Sequence, residues 1–209
     1  MNDDLIEHYR ALLAQHGPSA HAVQYSDATT QQARFAVLAG IAPDLGRVLD
    51  VGCGLCHLHG FLNGRVPFSA YHGVDIVPEF ITLANAAMAG DPRAHASLIA
   101  PDADLPPCDH ALLSGVFNNR MPDNWGFMTA TLRRMWAAAD KGIAFNAMTS
   151  HVDYRDEGLY YVDPMQVIAF CKTELGGHPV LRHDYSVRPG GFPFEFAVYL
   201  YKQPVYPLG

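Results

Sequence analysis

The chain has 209 residues, 49% hydrophobic and 17% charged, and a formal net charge of -7 at pH 7. That length supports one domain with a full core and is short for two, so a single domain over 1–209 is expected. No apolar stretch approaches the roughly 20 residues that cross a bilayer, and lysine and arginine are scattered, with only Arg133 and Arg134 adjacent; neither a membrane nor a nucleic acid is an expected partner.

Taken in order, Asp4 to His16 carries Leu5, Ile6, Tyr9, Leu12 and Leu13 on one stripe, a helix closed by Gly17 and Pro18. Asp3 and Asp4 stand where an export signal needs positive charge, and the apolar residues nearby are spaced, not continuous. With four cysteines (53, 56, 108 and 171) at neither disulfide nor zinc-ribbon spacing, the expected location is the reducing cytoplasm and no metal site is expected. Thr30 to Gly40 reads as a second helix, Arg47 to Val51 as a buried strand, and Leu55, Leu58, Phe61 and Leu62 recur at helical spacing. Tyr71 to Asp75 is a second strand, followed by a helix over Pro78 to Met88 with proline in its first turn. Strands are expected at Ala94 to Ala100, Ala111 to Val116 and Gly142 to Ala147, with a long helix, Trp125 to Ala139, between the last two. Asp163 caps a helix from Pro164 to about Leu175. Val180 to Tyr185 and Phe194 to Tyr201 are strand-like runs joined through VRPGGFP, a connection that suits an antiparallel pair. Alternation of this kind predicts an α/β fold, a doubly wound and mainly parallel sheet.

The run VLDVGCGLCH, Val48 to His57, has two incompatible readings. Cys53, Cys56 and His57 spell the attachment motif of a c-type haem, which calls for an exported chain; Asp50, Gly52 and Gly54 spell the glycine turn of a nucleotide-cofactor site. The context of strand, turn and helix favours the second. Glycines there let the backbone pass close to a ligand while the next helix offers its free N–H groups. Glycine is missing at His57, where the dinucleotide fingerprint needs it, which weakens a nicotinamide or flavin reading. Twenty-five residues beyond Asp50, Asp75 ends the second strand, where a carboxylate can accept both hydroxyls of a ribose.

VLDVGCGLC and YHGVDIVPEFITLA resemble the first and second motifs of the class I S-adenosylmethionine-dependent methyltransferases, in order and over nearly the whole chain from about Gln31 to Lys202. The departure is Cys56, where the family commonly has glycine, and it bears on the tightness of the turn. The resemblance implies a single Rossmann-like seven-stranded sheet with an antiparallel C-terminal strand, and S-adenosyl-L-methionine as cofactor. It places Asp50, Gly52, Cys53 and Gly54 in the cofactor turn, Asp75 on the ribose and Ile76 beside the adenine. In the loop after the third strand it implies an acid near the adenine amino group, Asp102 with Ala103 beside it, Asp104 being the competing choice. Ser114 and Gly115, at the exit of the fourth strand, fall beside the cofactor's methionine part, with Val116 and Phe117 as readily core. It further implies that residues 1–40 form a helical segment over the cofactor, where Tyr9, Tyr25, Gln31 and Arg34 come together. Tyr9 is then a lid residue and Arg34 pairs either with the cofactor carboxylate or with a neighbouring acid.

Methyl transfer from a sulfonium works mainly by positioning, with a base needed only where the nucleophile must shed a proton. His151, just past the fifth strand, is the first choice as base, with Tyr154 beside it; Asp153, Asp163 and Tyr185 are further crevice candidates. Asn118, Tyr160, Tyr161 and His183 are the expected substrate contacts. The fourth-strand exit, SGVFNNR, lacks the motif of adenine-methylating enzymes, and the chain has no P-loop. The expected function is methylation of a small metabolite on O, N or C. A protein or carrier-bound acceptor, and a regulatory subunit that binds the cofactor without turnover, are the alternatives; oligomeric state is left open.

Overall fold

In the computed structural model, residues 2–205 are described, with side chains from Leu5 to Val205. Helix α1 (Asn2–His16) and a 3-10 turn (Ala20–Val23) lead into α2 (Ala28–Ala39), which Asp27 caps by accepting from the Thr30 amide at 2.7 Å. Then follow β1 (Arg47–Val51), α3 (His57–Leu62), β2 (Ala70–Asp75), α4 (Pro78–Met88), β3 (Ala94–Leu98), β4 (Cys108–Leu113), α5 (Asn124–Ala138), β5 (Ala139–Thr149), β6 (Tyr161–Val162), α6 (Pro164–Thr173), β7 (His178–Arg182) and β8 (Glu195–Tyr201). The strands form one sheet in the order β3-β2-β1-β4-β5-β8-β7. Only β8 runs antiparallel, between β5 and β7. This is the doubly wound sheet expected from the sequence, with one strand added: β6 pairs parallel with Met148 and Thr149 of β5, beyond the point where β4 ends opposite Phe145.

Alternation along the strands divides the core. Leu113, Phe145 and Val198 face α5 and α6, packing with Met128, Leu132 and Phe170. Their chain neighbours Leu112, Ala144 and Ala197 face α2, α3 and α4, packing with Leu38, Leu62 and Ala84. Chain order reverses between β1 and β4, and at such a switch point the carboxyl ends of the strands open a crevice. Asp50, Asp75 and Ser114 all lie at that edge.

Several boundaries differ from expectation. β4 starts and stops three residues early, so Ser114 to Val116 leave the sheet as a turn. β5 begins at Ala139, directly at the end of α5, with no loop between them, because Ala139 is both the last cap and the first extended residue. β7 ends at Arg182, which leaves His183 and Tyr185 in the connection to β8. β6 is too short to carry a period, and no sequence signal marks it.

One glycine is fixed by close approach. A Cβ on Gly73, in the middle of β2, would stand 2.6 Å from Cys56 Sγ and 2.9 Å from Cys53 Sγ, so both thiols of the cofactor turn are seated on a bare strand. Gly73→Ala should therefore lower unfolding free energy by about 1–3 kcal/mol, the usual cost of overpacking a core; a guanidinium titration with an unchanged midpoint would refute the packing argument.

Candidate active site

The turn after β1 is built by backbone. Gly52 and Gly54 take φ of +70° and +51°, and a Cβ on either would strike a neighbour, 2.4 Å from Val116 Cγ2 and 2.7 Å from Val23 Cγ1. Cys56, at the position where glycine is common, also takes φ +55°. The turn thus keeps its shape with a non-glycine residue, at a strain of about 1 kcal/mol. Gly52 and Cys53 amides both donate to Val74 O, at 2.9 and 3.1 Å, tying the turn to β2.

Asp75 closes this arrangement. Its Oδ2 accepts from the Gly54 amide at 2.8 Å and its Oδ1 from the Val77 amide at 3.0 Å. One carboxylate therefore holds the turn after β1 against the start of α4. Burial pushes the Asp75 carboxyl up, while these amides pull it down. Asp50, buried in β1, has a stronger shift: desolvation pushes its carboxyl up to about 7, against the opposing hydrogen bond from Tyr71 OH at 2.5 Å. Ile76 packs with Leu55, Val77 and Phe80.

Across the switch point lies a buried polar network. The Gly115 amide donates to Asn146 Oδ1 at 2.8 Å, and Asn146 Nδ2 donates to Glu195 Oε1 at 3.3 Å. Tyr185 OH donates to the same oxygen at 3.0 Å, and Arg34 Nε donates to Glu195 Oε2 at 2.8 Å. Arg34 is thus paired with Glu195, the neighbouring-acid alternative, and not held open for a ligand carboxylate; a buried arginine with a full countercharge is already neutralised. Its guanidinium lies 5.3 Å from the Tyr25 ring, and Tyr25 OH reaches Ser114 Oγ at 2.7 Å and Ser114 O at 3.1 Å. Tyr25 lies on this edge as the resemblance implies, whereas Asn146 and Glu195 are not among the expected contacts. The last two had a signal, each being a lone polar residue inside an apolar strand run.

The N-terminal segment packs on the same edge. Tyr9 lies edge-on to Phe80 at 5.7 Å, and its phenol is pushed up to about 12 by burial, with Asp75 adding to the shift. Gln24 Oε1 accepts from Tyr9 OH at 3.0 Å and from Asn119 Nδ2 at 2.7 Å, so one side chain clasps α1 to the β4 exit.

The remaining expected residues separate into groups. Asn118 lies near Gly115, and its Oδ1 is buried with no partner. Tyr160 donates its amide to Asn118 O at 2.8 Å and, with Tyr161, lines a cleft beside α5. His151 is exposed at the end of β5, its Nε2 3.8 Å from Asp163 Oδ1 and its ring 6.4 Å from His183, whose Nε2 is buried and unpartnered. Two groups are not brought in. Tyr154 is 79% exposed and makes no hydrogen bond among the described residues, because the 151–158 loop carries it into solvent. Asp102 and Asp104 are also exposed, and their loop is held from α5 by Arg134, which donates to the carbonyls of Pro101 and Ala103.

The Asp50 shift has a defined pH signature. An acid that keeps its proton in the fold up to about 7, and loses it near 3.8 when unfolded, binds more protons in the native state between those values, so stability falls as pH rises from about 4 to about 7. Asp50→Asn should remove that contribution, gaining on the wild type as pH rises through this window. Parallel pH profiles of unfolding free energy for the two proteins would overturn the assignment.

No protein-family model matches the chain. A Mycobacterium tuberculosis protein named as a methyltransferase is 32% identical over 168 residues, covering 77% of this chain and 96% of that one. Among solved structures, magnesium protoporphyrin IX methyltransferase from Synechocystis with SAH bound superposes with a TM-score of 0.67 at 11% identity, over 97% of this chain and 96% of the other. A SAM-dependent methyltransferase from Leishmania major gives 0.66 at 17% identity, over 96% and 82%. Sequence relation and fold agree: the chain belongs to the class I S-adenosylmethionine-dependent methyltransferases.

Proposed function

We propose that the protein methylates a small metabolite at an oxygen, nitrogen or carbon atom. The observation that carries this reading is the roof over the crevice: Val23 against Gly54, Tyr9 against Phe80 and Tyr25 on Ser114 enclose the glycine turn from the N-terminal side. A crevice edge covered by the chain's own N-terminal segment favours a small acceptor over a macromolecule, and the net charge of -7 argues against nucleic acid. In the described residues no helix is long and apolar enough to cross a membrane. The four cysteines are free and buried, which supports a reducing compartment, the cytoplasm.

The residues fit the cofactor on steric and chemical grounds. The positive-φ glycines Gly52 and Gly54 shape a turn that only residues without a Cβ allow, packed under Val116 and Val23, and Asp75 presents a carboxylate beside it. On this reading Asp75 holds the ribose, Ile76 flanks the adenine, and Gly52, Cys53 and Gly54 offer backbone to the rest. Asp50, Ser114 and Gly115 face the methionine part, and residues 1–40, Tyr9 among them, cover it. Asp102 and Ala103 keep only the outer rim. S-adenosylmethionine, when bound, supplies an electrophilic methyl on a sulfonium. The chain's own part is to orient the acceptor through Asn118, to exclude water with the roof, and to take up a proton at His151, whose imidazole has Asp163 and His183 beside it.

Two outcomes test this. Asp75→Ala should weaken S-adenosylhomocysteine binding by about 1.5–3 kcal/mol, the range for charge-assisted hydrogen bonds; calorimetry giving wild-type affinity would refute the ribose assignment. His151→Gln should lower kcat on a methylated metabolite, found by screening an extract with labelled cofactor, while cofactor affinity stays at wild type. A fully active variant would remove His151 as base, and no methyl consumption against any metabolite fraction would refute the small-acceptor reading.

A further inference from the structure

The cleft beside α5 has a volume of about 380 Å³ and is walled by Arg120, Asp123, Trp125, Arg155, Tyr160 and Tyr161, with Met121, Pro122 and Asn124 completing it. Three of its walls are aromatic, and two of its side chains are cations. Asp123 is the one acid in the wall, and its Oδ1 accepts from the Gly126 amide at 2.9 Å as the cap of α5, which leaves the two arginines in excess. Arg155 donates to Ser150 O at 2.8 Å and lies 5.8 Å from the Tyr161 ring.

Arg120 is different. Every other arginine of the chain donates a side-chain hydrogen bond to a carboxylate, a carbonyl or a hydroxyl. Arg120 has no side-chain partner among the described residues. Its backbone, in contrast, is fixed: its amide donates to Gly158 O at 2.9 Å, and Asn119 bridges Leu159 in the antiparallel sense. A free guanidinium on a pinned backbone, facing an aromatic cleft, is arranged to meet two oxygens of a carboxylate or phosphate with two parallel N–H bonds. The cleft also has the right address. Arg120 is five residues from Gly115, so it lies within about 17 Å of the cofactor edge even along a fully extended chain, and Asn118, with its unpartnered Oδ1, stands between.

We propose that this cleft is the recognition end of the acceptor site, and that the acceptor is a small molecule carrying a carboxylate or phosphate group, seated on Arg120 with Arg155 beside it and its body against Trp125 and Tyr160. The inference rests on the small-acceptor reading above and narrows it to anionic molecules.

The test uses the full chain saturated with S-adenosylhomocysteine, with benzoate, phenyl phosphate and the neutral isostere benzamide as probes, followed by the indole signal of Trp125 in NMR. Expected is saturable binding of at least one anion, with benzamide at least about tenfold weaker. Arg120→Gln should lower anion affinity by about tenfold or more, and Arg120→Lys should restore part of it. Which anion binds more tightly separates a carboxylate acceptor from a phosphate one. Equal binding of benzamide, an Arg120→Gln variant that binds anions like wild type, or no saturable change with either anion would each overturn the inference. Failure of S-adenosylhomocysteine to bind would instead overturn the cofactor-site assignment, whereas its normal binding with no anion effect overturns the present inference alone. Arg120 is exposed and unpaired, so the variants keep the fold.

Discussion

The site depends on one carboxylate meeting two amides. Asp75 ends β2, yet its oxygens hold Gly54, which follows β1, and Val77, which precedes α4. A parallel pair of strands fixes spacing along the sheet but leaves the turns above it free to splay. Asp75 removes that freedom where the backbone is most bare, and one of its two donors, the Val77 amide, is a group that a helix start leaves unsatisfied in any case. The same carboxylate lies at the rim of the crevice, so a structural bond and the proposed ribose position coincide.

The second support is the chain of polar contacts from Gly115 through Asn146 to Glu195 and Arg34. Burying a charge pair is costly unless its remaining hydrogen-bond capacity is filled, and here Tyr185 and Asn146 fill it on the acid while Thr30 O takes a second arginine donor. The network links α2, β5, β8 and the β4 exit, four elements distant in sequence. It explains why an acid stands in a strand whose other residues are almost all apolar. Cofactor-side geometry is therefore set from below by long-range packing, and not by the glycine turn alone.

How much of this the sequence disclosed follows from physical range. The glycine turn, Asp50 and Asp75 were legible because strand, turn and helix are local and their spacing is short. The reversal of β8 was legible because a Gly/Pro-rich connection cannot serve a crossover. Arg34 was placed near the cofactor by position along α2, but its partner, 161 residues away, lies across the sheet and leaves no local trace. Tyr154 and Asp102 were placed by their position after strands; whether a loop folds inward or out is decided by contacts such as Arg134 with Pro101 and Ala103, which periodicity does not report. The three-residue shift of β4 has a similar cause. Val116 and Phe117 extend the apolar pattern beyond Ser114 and Gly115, but the Gly115 amide bonds the Asn146 side chain and the chain has already left the sheet.

The exit of β4 serves both halves of the site. Ser114 and Gly115 touch the network under the crevice, and Asn118 to Arg120 are pinned to residues 158–160. A single short stretch of chain, without regular structure of its own, therefore joins the two proposed ligand environments. Occupancy at one end that orders this stretch lowers the ordering cost left for the other, and linkage makes the effect mutual and equal in size. On the proposed assignments, cofactor and acceptor would each raise the other's affinity by one and the same factor.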